Sequence, residues 1–150
     1  MSRVILLDAG PLGLLTIPAG SPRGIACSQW VSSLLAANVQ VIVPEIADYE
    51  VRRELLRVKK IDAIAQLDAL SKTLEYLPLT TTAMRQAAEF WAQARQQGQP
   101  SPGDKTIDAD MILAGQAVAL GNSQMVITTT NIRHLALFAP AEVWEKIVPA

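Results

Sequence analysis

The chain has one cysteine, Cys27, and one histidine, His134, in 150 residues. A lone cysteine excludes an intrachain disulfide, and with a lone histidine no Cys/His set for zinc exists. Cys27 is therefore expected to be a buried, inert thiol. No apolar run reaches the length of a membrane span, and the four apolar residues between Arg3 and Asp8 are too few for a signal-peptide core. A soluble cytoplasmic protein with no membrane partner is expected. Neither charge sign dominates: 13 basic and 14 acidic residues leave a net charge of -1, which does not advertise a nucleic-acid partner. The chain lacks a Gly-rich phosphate loop ending in Lys-Ser/Thr, a Gly-x-Ser-x-Gly turn, internal repeats and low-complexity tracts.

What is present is a balance typical of a compact fold, 50% hydrophobic and 18% charged. A chain of this length buries about two thirds of its unfolded surface, so one domain over residues 1–150 is expected. The positive mean hydropathy fits a well-filled interior or a dimer face.

Strand-like and helix-like segments alternate along the chain. Residues 4 to 8 read as a buried strand, Gly10-Pro11 with Gly13 as the turn out of it, and Ser21 to Gly24 as loop. A helix is expected over 25–37, ended by Asn38, then a strand over 39–43. Pro44 suits the first turn of a helix running to Val58, with Ala47, Val51, Leu55 and Val58 as its apolar stripe. Further helices are expected over 61–74, from the Thr80–Thr82 caps to Gln97, and over 107–120 with Gly121 as its stop. Leu77 to Leu79 and Val126 to Thr128 are strand-like, Gly98 to Gly103 is the clearest loop, and 142–148 is a short helix or strand. Strands separated by helices predict an α/β fold, a mostly parallel sheet covered on both faces, whose ligands bind beyond the carboxyl ends of the strands.

Acidic residues stand at the ends of these elements. Asp8 closes the first strand, Glu50 follows the second, and Asp110 opens an apolar helix. Carboxylates gathered from distant segments hold hard divalent cations, and such sites serve phosphodiester chemistry. Asp8 and the Thr129-Thr130-Asn131 segment both lie just past predicted strands and reach the same crevice.

The segment Val4-Ile5-Leu6-Leu7-Asp8-Ala9-Gly10-Pro11-Leu12 resembles the N-terminal signature of PIN domains, the fold of VapC-type toxins and other metal-dependent ribonucleases. Glu50 stands six residues beyond the second strand, where that family carries a helical Glu. Asp110-Met111-Ile112-Leu113-Ala114-Gly115-Gln116-Ala117 resembles its Asp-x-x-Ile-Ala-Ala-x-Ala helix start, and the segment from Val126 to Leu135 its Thr-x-Asp/Asn stretch. The motifs occur in family order across residues 4–135, with Asn131 where many members have a fourth Asp and Gly115 where Ala is common.

The resemblance implies a PIN-like three-layer α/β/α sandwich and an Mg2+- or Mn2+-dependent ribonuclease, a class that includes the toxin of a toxin-antitoxin pair. Asp8 and Asp110 would be the principal metal ligands, Glu50 would complete the acidic shell, and Thr129 and Asn131 would orient ligands or waters. The implied partners are RNA, a cognate antitoxin and a second copy of the chain.

Bland roles compete at each position. Asp8 can cap a turn, and Asp108 and Asp110 both lie in a helix's first turn, where an acid complements the dipole; Asp108 is kept as an accessory candidate. Glu45 can stabilise a helix start, Glu54 can pair with Arg53 or Arg57, Asp104 suits a loop or cap, and His134 suits packing better than catalysis. Arg52, Arg53, Arg57, Lys59 and Lys60 form either a solvated face or one that meets phosphates. The alternative function is a catalytically inactive PIN-like RNA-binding or protein-interaction module; a metal-dependent phosphatase comes third.

Overall fold

The structure, a computed structural model, describes residues 3–17, 21–97, 107–132 and 135–149. The expected loop from Gly98 to Gly103, together with Asp104 and His134, lies outside the described residues. Five strands, β1 (Val4–Leu7), β2 (Gln40–Pro44), β3 (Glu75–Leu77), β4 (Met125–Thr129) and β5 (Ala141–Val143), form one sheet in the order β3-β2-β1-β4-β5, with every pairing parallel. Helices α1 (Ala9–Leu14), α2 (Pro22–Ala36), α3 (Glu45–Arg57), α4 (Ile61–Thr73), α5 (Thr81–Gln96) and α6 (Ile107–Leu120) connect them. This is the expected three-layer α/β/α sandwich. Among the described residues no helix is long and apolar enough to cross a membrane.

The pleat of β1 shows how the layers form. Val4 and Leu6 pack with Phe90, Met111, Leu113 and Ile127 under α5 and α6, while Ile5 and Leu7 pack with Leu12, Leu34, Val41 and Leu67 under α1 to α4. Successive side chains point to opposite faces, so a central strand buried on both sides must be continuously apolar. The strand order reverses at β1: β2 lies on one side and β4 on the other. That reversal opens a crevice at the carboxyl ends of β1 and β4.

Several boundaries differ from the sequence reading. Gly10, Pro11 and Gly13 lie inside α1, because Asp8 caps that helix and Pro11 falls in its first turn, where a missing N–H costs nothing. Ser21 to Gly24 is the start of α2: the Ser21 hydroxyl accepts from the Gly24 N–H and Pro22 occupies the first helical position. The third strand is Glu75–Leu77, ending at Pro78, rather than Leu77 to Leu79. Val58 is exposed beyond the end of α3, and the buried residue missing from that helix's expected stripe is Ile46. The tail is strand and then 3-10 turn, β5 followed by Trp144–Lys146. The expected α6 bounds match, and Gly121 follows with the positive φ that a C-terminal stop requires. Cys27 is fully buried, and burial pushes its thiol up to about 12.

Candidate active site

Leu7 pairs with Thr128 across β1 and β4, and the Asp8 N–H donates to the Thr128 carbonyl at 2.9 Å. The next residues on each strand, Asp8 and Thr129, therefore stand side by side with side chains on the same face. The Thr129 hydroxyl donates to Asp8 Oδ2 at 2.7 Å, and the Ala9 N–H donates to Asp8 Oδ1 at 2.7 Å. Asp8 is thus both the cap of α1 and a carboxylate fixed through both oxygens. Thr129 itself is 1% exposed, and its hydroxyl oxygen accepts from the Asn131 N–H at 3.1 Å. The turn after β4 is thereby tied to the same atom that orients Asp8.

Gly10 lets this turn close. A Cβ there would lie 2.6 Å from Thr130 Cγ2 and 2.7 Å from its Oγ1, nearer than real Cβ contacts.

Glu50 faces Asp8 from α3. Burial, then the negative charge of Asp8, outweigh the nearby Arg53 and push the Glu50 carboxyl up to about 7. The Asp8 carboxyl is also raised by burial, which the Thr129 and Ala9 hydrogen bonds only partly offset. Two half-buried carboxylates sharing one space are electrostatically unfavourable alone and favourable around a cation. Mg2+ takes one or two carboxylates and keeps several waters, so this pair and the Thr129 hydroxyl are hard-oxygen chemistry that fits such an ion.

Asp110 is half-buried and Asp108 exposed in the first turn of α6. Asp108 opens onto a shallow groove of about 380 Å³ between α5 and α6, with Met84, Trp91 and Ile112. Among the described residues no three His, Cys, Asp or Glu side chains come close enough to hold a metal ion together. The pair brought together is Asp8 and Glu50, with Thr129 and Asn131 beside Asp8.

The neighbouring acids have other partners. Glu45 Oε1 accepts from the Leu79 N–H at 2.7 Å, and Glu54 pairs with Arg57 on the surface. Arg52 bridges Asp48 and Asp68, and the Tyr76 hydroxyl donates to Asp48 at 2.8 Å. Of the basic run, Arg53, Lys59 and Lys60 line a cavity of about 1070 Å³ between α1 and the α3–α4 corner, with Glu50 in its wall and Ile17 and Leu55 among its apolar lining. Trp30 and Trp144 form a tilted core pair with centroids 5.4 Å apart, and Trp91 is partly exposed beneath Arg95.

Sequence reading missed Gln116, which is 2% exposed and joins three segments. Its Oε1 accepts from the Ile46 N–H at 3.3 Å, and its Nε2 donates to the carbonyls of Leu77 at 3.0 Å and Pro78 at 3.3 Å. The available signal was an amide in the middle of an otherwise apolar helical run.

No protein-family model matches the chain, and no curated protein matches it. Solved structures do. A chain of the VapBC2 complex from Rickettsia felis, crystallised with a DNA fragment from their promoter, superposes with a TM-score of 0.70 at 18% identity, covering 95% of this chain and 99% of that one. A chain of VapBC-1 from nontypeable Haemophilus influenzae gives 0.67 at 19% identity, covering 96% and 100%. VapC20 of Mycobacterium tuberculosis, a toxin that cleaves the sarcin-ricin loop, gives 0.64 at 16% identity, covering 90% and 95%. The chain is similar to these proteins in fold, and its fold is the PIN-like α/β/α fold of VapC toxins.

Proposed function

We propose that the protein is a metal-dependent ribonuclease, the toxin of a toxin-antitoxin pair acting in the cytoplasm. The observation that carries this reading is the pair formed by Asp8, held through both oxygens at the strand-order reversal, and Glu50, pushed up to about 7 beside it. The fold shared with VapC toxins, one of which cleaves RNA, supports the substrate class.

Asp8 and Asp110 would hold Mg2+ or Mn2+, directly or through water, and Glu50 would complete the acidic shell, with Asp108 as an accessory acid. A bound divalent cation supplies positive charge for the phosphodiester transition state and lowers the pKa of a water. Thr129 keeps Asp8 in one rotamer, and Asn131 adds an uncharged oxygen at the rim. The Glu50 carboxyl, raised by burial and the Asp8 charge in the metal-free chain, would be returned to its charged form by a cation beside it. Arg53, Lys59 and Lys60 along the adjoining cavity would meet RNA phosphates, which reconciles RNA binding with a net charge of -1.

The VapBC neighbours are complexes, which supports a cognate antitoxin as a partner; a homodimer is proposed for the chain itself. A catalytically silent PIN-like binding module is the second reading, favoured by Asn131 in place of a fourth acid.

The deciding experiment is cleavage of single-stranded RNA by purified protein in Mn2+, Mg2+ or EDTA, with Asp8→Asn and Asp110→Asn alongside. Metal-dependent cleavage lost in both folded variants is the expected result. No cleavage of varied RNAs, together with no Mn2+ binding by calorimetry, would move the assignment to the silent module.

A further inference from the structure

We infer that Gln116 is a positioning residue for the carboxylate site: its buried amide fixes α6, which carries Asp110, against the face of α3 that presents Glu50. This inference rests on the metal-nuclease reading above.

Helix α3 begins after Pro44, which makes no side-chain cap hydrogen bond. The first N–H groups of a helix have no partner within it. One of them, Ile46 N–H, is satisfied by Gln116 Oε1 from α6, so the start of α3 is capped by another helix. The same amide's Nε2 reaches the Leu77 and Pro78 carbonyls at the exit of β3. A buried primary amide is costly unless paired, and here both ends are paired.

Ile46 and Glu50 are one turn apart and share a face of α3. The Ile46 side chain packs against α6 with Met111, Leu113 and Ala114, and the bond to the Ile46 N–H at the helix start fixes the height of α3 along that contact, and with it Glu50 one turn further on. On its other side α6 lies close against α5 at Gly115, where an added Cβ would be 2.4 Å from the Ala83 carbonyl oxygen and 3.1 Å from the Ala87 nitrogen. Apolar packing alone tolerates sliding between helices, whereas a directional buried hydrogen bond selects one register. Asp110, in the first turn of α6, inherits its position from this clamp.

The test compares the wild type with Gln116→Met, which preserves volume, and Gln116→Glu, which keeps an acceptor for Ile46 but opposes the two carbonyls. Tyr76→Phe is the control, since it removes one hydrogen bond between β3 and α3 without involving α6. The readouts are Mn2+ affinity of the full chain by calorimetry without RNA, hydrogen exchange at the Ile46 amide, urea unfolding and cleavage of single-stranded RNA. Both Gln116 variants are expected to weaken Mn2+ binding about tenfold or more and lower kcat. Gln116→Met should also accelerate Ile46 exchange, while Tyr76→Phe costs similar stability and leaves Mn2+ affinity unchanged. Gln116 variants that lose stability or Ile46 protection yet bind Mn2+ and cleave RNA like the wild type would reduce Gln116 to a packing group and overturn the inference. A wild type that neither binds Mn2+ nor cleaves RNA would overturn the nuclease reading itself, and this inference with it.

Discussion

Thr129 and Asp8, 121 residues apart in sequence, are joined by a 2.7 Å hydrogen bond in which the threonine hydroxyl donates to Oδ2 of the carboxylate. The bond exists because β1 and β4 are parallel neighbours and the two residues extend the same row of the sheet. It is also one of the two hydrogen bonds holding the Asp8 carboxyl down against the upward push of burial.

Thr129→Val removes that donor while keeping the shape. Mn2+ affinity, measured by calorimetry, is expected to fall roughly tenfold, the usual scale for losing a hydrogen bond behind a metal ligand. Thr129→Ser should restore most of it.

Glu50 makes a signed prediction for stability against pH. Its folded carboxyl titrates at about 7 against an ordinary value of 4.5, so between those values the folded chain retains a proton that the unfolded chain has lost. Stability of the metal-free protein therefore falls as pH rises through that window, and the raised Asp8 carboxyl adds a contribution of the same sign. Glu50→Gln should stabilise the metal-free protein at pH 8 by on the order of 1 kcal/mol, the shift being discounted for the solvent that screens a partly exposed carboxyl, and have little effect at pH 4, as read by urea unfolding.

The same protons compete with metal. Cleavage at fixed Mn2+ should rise from pH 5 to pH 8 as Glu50 ionises, and equal rates at the two values would count against the proposed site.

Gly115→Ala should destabilise the protein by roughly 1–3 kcal/mol, because the new methyl meets the backbone of α5 and the two helices must part to admit it. Thermal or urea unfolding measures this directly.

Lys59 and Lys60 offer a test of the RNA path. Replacing both with Ala should weaken single-stranded RNA binding uniformly across sequences and reduce the slope of log K against log salt by about 1.4, the amount expected for two lost phosphate contacts. An unchanged slope would place the RNA elsewhere.

Much of the fold was legible because periodicity is a local property. The apolar run at 4–7 could only be a doubly covered strand, and the apolar stretch closed by Gly121 matched α6 to the residue. Errors clustered where turn residues were read without their caps: Gly10, Pro11, Pro22 and Gly24 look like loop residues, yet each lies in a helix started by Asp8 or Ser21. The place of Asp8 at the end of a strand was legible from the apolar run before it, and the place of Glu50 on the helix after the second strand from its spacing from Pro44.

What the amino-acid sequence determined by itself was the series of strands and helices and which of them could carry carboxylates, because backbone sterics and the placement of apolar side chains act over a few residues. Which carboxylates meet was decided by the tertiary structure alone. The sheet order sets Asp8 beside Thr129, and the packing of α3 against α1, the helix that Asp8 caps, brings Glu50 close enough for burial and the Asp8 charge to shift its pKa. Only the assembled layers put the Gln116 amide within reach of Ile46, Leu77 and Pro78, since desolvation and hydrogen-bond geometry arise between elements distant in the chain.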